Sequence, residues 1–69
     1  MDISARNQLK GQIESLKLGD IMAEVVVVLA DGQKITSVIT RDAAEQLHLK
    51  QGDRVAAIIK STEVMVAKA

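Results

Sequence analysis

Two short polar stretches near the ends of the chain carry residue types that suit anion binding. The first is Ser4-Ala5-Arg6-Asn7-Gln8, in which Ser4 and Arg6 are two residues apart and project to the same side of an extended chain. The second is Lys60-Ser61-Thr62, where an apolar run gives way to a cation and two hydroxyls. Neither stretch contains a carboxylate, so their charged groups are all hydrogen-bond donors.

A small tetrahedral oxyanion is the ligand that such a donor set fits. Each oxygen of that ion accepts hydrogen bonds and none donates, and one arginine with one lysine neutralises a dianion. On spacing alone, the same residues also fit a solvated strand end and an exposed turn that bind nothing. The residue pattern by itself leaves both interpretations open.

Other chemistries lack the residues that they need. The chain has no cysteine and a single histidine, His48, which removes disulfides, thiolate metal sites and zinc or copper ligand sets. His48 lies at the end of a predicted helix, where a solvent-facing role is typical, and no oriented nucleophile accompanies it. Asp20, Asp31 and Asp53 occupy turn positions that favour aspartate for backbone reasons. We therefore expect a protein that is not an enzyme, has no cofactor and ligates no bare metal ion.

Composition and charge exclude several classes of partner. Nine basic residues balance nine acidic ones, so no net field attracts the 69-residue chain to nucleic acid or to an anionic membrane. The longest apolar run, Val25 to Ala30, is far shorter than the ~20 residues of a spanning helix. The N-terminus resembles no signal peptide. We expect a cytoplasmic protein with no nucleic-acid or membrane partner.

Hydrophobic periodicity predicts strands in the first half of the chain. Alternation from Asn7 to Leu16 predicts a first strand, with a bulge or a close backbone approach at Gly11. A second strand is predicted at Ile21 to Ala30, and Asp31-Gly32 is a strong hairpin signal. Gln33 to Ile39 is then the returning third strand.

The period changes after the third strand. Thr40 to Leu49 has helical spacing, with Thr40 as N-cap and Asp42 in the first turn. Two further strands are predicted, Arg54 to Lys60 and Thr62 to Ala67. The order β-β-β-α-β-β predicts a mainly β protein, an OB-like five-stranded antiparallel barrel with one short helix between strands 3 and 4.

Two strands are apolar on both faces, Val25 to Leu29 and Ala56 to Ile59. One face can fill the barrel, and the other needs a further subunit or, for part of its area, the short helix. A chain of this length also gains little net stability from its own core. Both observations predict a homo-oligomer, and coverage by the helix alone is the alternative.

Three segments, taken in order, resemble the Mop family of molybdate- and tungstate-binding domains, the molbindins. They are Ser4 to Gly11, Ile35 to Thr40, and Val55 to Met65 with its Lys-Ser-Thr-x-Val close. The resemblance covers nearly the whole chain, which is identified as a single Mop domain over residues 1–69. It implies an OB-like barrel that assembles as a hexamer, a trimer of dimers, and binds molybdate or tungstate at subunit interfaces for storage and homeostasis.

The resemblance also implies the site residues. They are Ser4, the backbone of Ala5, Arg6, Lys60 and Ser61, joined by Thr40 from a neighbouring subunit. Relatives often carry a second hydroxyl three residues after that threonine, whereas this chain has Ala43, so a backbone N–H of the first helical turn would replace that contact. Asp42 must point away from a bound dianion.

Two other functional classes remain as alternatives. Residues 40–55 are similar to the helix-turn-strand of swapped-hairpin DNA-binding transcription regulators, which are dimeric and basic. This chain has zero net charge and no aromatic residue on which a base could stack, both of which disfavour DNA binding. The other alternative is a structural assembly module with vestigial ion sites. The sequence does not separate molybdate from tungstate.

Overall fold

The computed structural model describes residues 2–69 and contains one antiparallel sheet with a short helix. The strand order in the sheet is β3-β2-β1-β4. This arrangement confirms a mainly β, OB-like architecture with the helix between the third and fourth strands. The elements are β1 (Asn7–Leu18), β2 (Met22–Leu29), β3 (Lys34–Thr40), α1 (Arg41–Gln46), β4 (Arg54–Ile59) and a 3₁₀ turn (Ser61–Glu63).

The prediction of a fifth strand at Thr62 to Ala67 is wrong. The structure has four strands, because the 3₁₀ turn follows β4 and residues 64–69 then run without regular structure. A strand requires a hydrogen-bonded neighbour, and no strand in residues 2–69 pairs with this tail. Met65 is 94% exposed and Val66 is 93% exposed. The apolar side chains of Met65 and Val66 are therefore left almost uncovered by residues 2–69.

β1 joins the two halves of the sheet. Its first part, from Asn7 to Gln12, pairs with β4, and its later part, from Gly11 to Leu18, pairs with β2. The close backbone approach predicted at Gly11 is confirmed, since a Cβ there would overlap the carbonyl oxygen of Val28. The bulge lies further along, between Ile13 and Ser15. This long shared strand lets a four-stranded sheet curl around a small core.

The core lies on the inner face of the curled sheet. Ile13, Val25 and Val27 are its buried centre, and Val25 and Val27 alternate along β2 as the period-2 pattern requires. Half-buried side chains from all four strands and from the segment after the helix pack around it, namely Leu16, Leu29, Ile39, Leu49 and Val55. With no aromatic residue available, this aliphatic cluster is small.

The local signals of the sequence are confirmed at the hairpin and at the helix start. Asp31 accepts a hydrogen bond from the backbone N–H of Gln33 at 3.1 Å, and Gly32 takes φ +89°. Thr40 caps α1. The helix ends at Gln46, earlier than the predicted Leu49, because His48 adopts φ +53°, outside the helical region.

Apolar surface remains uncovered on both sides of the sheet. On the outer face, Val26 and Val28 are half-buried and Val38 is 60% exposed. The helix contacts β2 and β3 and buries Ala44, yet Val38 of β3 stays exposed. On the inner side, a groove of about 500 Å³ opens between β3 and β4 and is lined mainly by aliphatic side chains. None of the helices described for residues 2–69 is both long and apolar enough to cross a membrane.

Candidate functional site

The two polar stretches of the sequence meet at one end of the β1–β4 ladder. The end pair of that ladder is Asn7 with Ile59, so the residues just before β1 lie beside those just after β4. A depression of about 320 Å³ is found there, which we call the donor pocket. It is lined by Ile3, Ser4, Ala5, Arg6, Ile58, Lys60, Ser61 and Thr62.

Local backbone structure shapes each side of the donor pocket. On the β1 side, the side-chain amide of Gln8 donates to the carbonyl oxygen of Ala5 at 2.9 Å, which links the first residues of β1 to the segment before it. On the β4 side, Lys60 is extended with φ −62° and ψ 137°, and its carbonyl oxygen accepts from the backbone N–H of Glu63 at 2.9 Å. That bond closes the 3₁₀ turn that carries Ser61 and Thr62.

The side chains of the donor pocket are not engaged elsewhere in the described chain. Between residues 2 and 69, no side-chain hydrogen bond or ion pair involves Ser4, Arg6, Lys60 or Ser61. Other cations do have partners, as in the 2.8 Å pair of Lys34 with Glu14. No carboxylate lines the pocket. It therefore offers two cations and several hydroxyl donors to a ligand.

The sixth predicted site residue, Thr40, lies outside the donor pocket. It ends β3, and its hydroxyl oxygen accepts a hydrogen bond from the backbone N–H of Ala43 at 3.1 Å. The N–H of Arg41 is also used, since it donates to the carbonyl oxygen of Ile21 at 2.7 Å. Two N–H groups of the first helical turn are thus committed within the chain. The contribution of Thr40 from a neighbouring subunit stays a prediction.

Three residues of the pocket were missed by sequence reasoning as site residues. Thr62 belongs to the same polar stretch as Lys60 and Ser61, so its place in the pocket could have been predicted from the sequence. Ile3 and Ile58 looked like ordinary apolar residues. The available signal was that Ile58 and Lys60 are two residues apart on an extended chain and so project to the same side.

Two observations concern metal-ligating side chains and the histidine. Residues 2–69 contain no group of three or more histidine, cysteine, aspartate or glutamate side chains placed to hold a metal ion. His48 is exposed after the helix and does not line the donor pocket.

Comparisons with known proteins identify the family of this chain. The TOBE domain model matches residues 3–66. The chain is 56% identical to "Molybdenum-pterin-binding protein 1" of Clostridium pasteurianum, over 96% of this chain and 97% of that protein.

Two solved structures share the fold. A molybdate-binding protein from Sporomusa ovata superposes with a TM-score of 0.92 at 37% identity, covering 99% of this chain and 100% of that one. The cytoplasmic molybdate-binding protein ModG, solved with molybdate bound, gives a TM-score of 0.84 at 43% identity over 88% of this chain and 43% of its own.

Proposed function

Because the chain belongs to the TOBE-domain family and to its Mop-type members, we propose that it binds molybdate or tungstate in the donor pocket, at interfaces between copies of itself. One observation carries the proposal: Arg6 and Lys60, from opposite ends of the chain, line a pocket with hydroxyl groups and no carboxylate. The ion is a ligand held for storage and homeostasis, and it is not a cofactor of a reaction.

The charge and hydrogen-bond chemistry of the pocket suit a tetrahedral dianion. One guanidinium and one ammonium offset its two negative charges, which a partly dehydrated site requires. The hydroxyls of Ser4, Ser61 and Thr62 add neutral donors. A hydrogen bond to a charged group contributes about 1.5–3 kcal/mol, so three such donors add substantially to affinity.

Incomplete surfaces support assembly with further copies. Arg6 and Lys60 are exposed, so the donor pocket alone leaves a bound ion open to water on one side. Residues 2–69 leave open the aliphatic groove between β3 and β4, and they leave Met65 and Val66 of the tail more than 90% exposed. A second copy that supplied its tail to this groove would cover both surfaces at once. Thr40, at the end of β3, would then lie at the interface.

The remaining parts of the proposal follow from the same resemblance. We propose a hexamer built as a trimer of dimers, in which residues 1–69 act as one Mop domain. We place it in the cytoplasm, as ModG is described, and assign it a binding role without enzymatic activity. Nucleic acid and membranes are not proposed as partners, since the net charge is zero.

Native mass spectrometry with molybdate, tungstate or sulfate tests the proposal, because it reports subunit number and ion count together. We expect a homo-oligomer, six subunits for the hexamer, that retains several molybdate or tungstate ions and few sulfate ions. A monomer that retains no oxyanion would contradict it. A mobility-shift assay with duplex DNA at physiological salt separates the regulator alternative, for which binding at submicromolar protein would be required.

Melting curves at equal millimolar concentrations of four anions test selectivity. A ligand that binds only the native state adds about 2.7 kcal/mol of stability at ~100 times its dissociation constant. Molybdate and tungstate should raise the melting midpoint most, sulfate less and phosphate least, since partly protonated phosphate brings a donor into a donor-only pocket. Equal shifts would indicate a general anion effect.

A further inference from the structure

The donor pocket has an apolar side that donor chemistry does not explain. Ile3 and Ile58 line it together with the polar residues, and they are 52% and 36% exposed, respectively. Isoleucine offers no hydrogen bond to an anion. We call these two side chains the apolar wall.

The position of Ile58 in this wall is fixed by regular structure. Ile58 lies on β4 directly opposite Gln8 of β1, and the Gln8 side chain is bonded to the carbonyl oxygen of Ala5. Lys60 follows two residues later on an extended backbone, so its side chain projects to the same side of the strand as that of Ile58. The wall therefore adjoins both a cation and the Ala5 segment, and a sheet strand holds it more rigidly than a loop would.

An apolar wall penalises an entering ion according to its size. The ion loses water on the side that faces the isoleucines, and no donor there replaces the lost hydrogen bonds. In the Born description the cost of removing water from an ion rises as its radius falls. Sulfate carries the same charge as molybdate but has shorter bonds, so dehydration costs sulfate more.

We propose that Ile58, assisted by Ile3, is a specificity-determining residue that favours large tetrahedral dianions over sulfate by leaving one side of the ion without a hydrogen-bond donor. The proposal rests on the proposed function of the donor pocket. It separates two tasks: the cations and hydroxyls provide affinity for any tetrahedral dianion, and the wall selects among dianions by the cost of dehydration.

The test compares Ile58→Thr with the matched control Ile58→Val in the full chain. Threonine keeps a β-branched shape and adds a hydroxyl donor to the wall, whereas valine shortens the side chain and adds none. Molybdate and sulfate affinities are measured by isothermal titration calorimetry, and native mass spectrometry checks the subunit number of each variant. We expect Ile58→Thr to lower the molybdate-to-sulfate affinity ratio by more than about three-fold and Ile58→Val to keep it within that range, since the added hydroxyl offsets a dehydration cost that is larger for sulfate.

The outcomes distinguish this proposal from the function on which it rests. If the wild-type protein binds molybdate and Ile58→Thr keeps the wild-type ratio, the wall has no role in selectivity while the proposed function stands. If the wild-type protein binds neither ion, both fail. Ile3→Thr, outside the strands, is the second variant should Ile58→Thr not fold; it should shift the ratio in the same direction by a smaller factor, and an unchanged ratio would overturn the proposal.

Discussion

The donor pocket and the start of α1 contain similar residues that are used in different ways. At the helix start, the polar side chains have partners in their own chain: Thr40 accepts from Ala43, and the Arg41 guanidinium donates to the carbonyl oxygen of Gly19 at 3.2 Å. In the donor pocket, the side chains of Arg6 and Ser61 have no such partner among residues 2–69.

On the proposed function, this difference separates residues that serve the fold from residues that would bind a ligand. A hydroxyl or guanidinium that is satisfied within the chain stabilises the native state, and removing it lowers the free energy of unfolding. A donor without a partner in the chain adds little to folding, so its removal is tolerated. The same substitution should therefore have opposite consequences in the two regions.

The largest contrast is expected between Arg6→Ala or Lys60→Ala and the matched control Arg41→Ala. Either pocket variant leaves a dianion under-neutralised in a partly dry site and should abolish most molybdate binding. Its free energy of unfolding should stay within about 0.5 kcal/mol of the wild-type value without ligand. Arg41→Ala should lower stability and keep binding. Titration calorimetry and urea denaturation measure the two quantities, and equal binding losses in all three variants would remove the distinction.

A smaller effect is expected for Ser61→Ala. The variant removes one neutral donor to a charged ligand, so binding should weaken by about 1.5–3 kcal/mol with little change in stability. Ser37→Ala is the control, because Ser37 lines the groove between β3 and β4 and not the donor pocket. Calorimetry that shows the same loss for both serines would contradict the assignment of Ser61.

Thr40→Ala sharpens the comparison, since Thr40 is assigned to both tasks. Loss of the N-cap should reduce the free energy of unfolding by about 1 kcal/mol. If a neighbouring subunit's donor pocket also uses this hydroxyl, molybdate binding should weaken as well, and Thr40→Ser should restore both properties. Unchanged affinity with reduced stability would mean that Thr40 only caps its own helix.

The smallest effect is expected at His48, which belongs to neither region. His48→Ala should leave molybdate affinity unchanged and alter the free energy of unfolding by no more than about 0.5 kcal/mol. His48→Gly is the control: its φ of +53° suits glycine, so this variant should be slightly more stable than the wild type. If His48→Ala reduced binding more than Arg6→Ala, the site would be wrongly placed.

Features that depend on neighbouring residues could be predicted from the sequence. Asp31-Gly32 specifies its hairpin and Thr40 its helix start, because turn and cap geometry are set within a few residues. The two donor stretches were also identified, by residue type and by resemblance. Local pattern does not show that the two stretches lie close together, because that depends on the pairing of β1 with β4.

The fifth strand and the apolar wall show where pattern reasoning fails. The tail around Val64 to Val66 is a short apolar run that favours a strand, but such a run does not say whether a partner strand exists in the same chain. Ile58 is aliphatic on a strand, which fits core, interface and site wall equally well. Its place beside Lys60 and Ala5 adds it to the donor pocket, and it also lines the groove between β3 and β4.

The shared strand β1 has a consequence for the order of folding. Its later part joins β2 through a short turn, whereas its first part must find β4 near the far end of the chain. Loop closure costs more entropy as the loop lengthens, so the β1–β4 ladder should form after the two hairpins. The donor pocket exists only once Asn7 is opposite Ile59. Ion capture should therefore coincide with the slowest folding phase, and bound molybdate should retard amide exchange along β4 more than along β3.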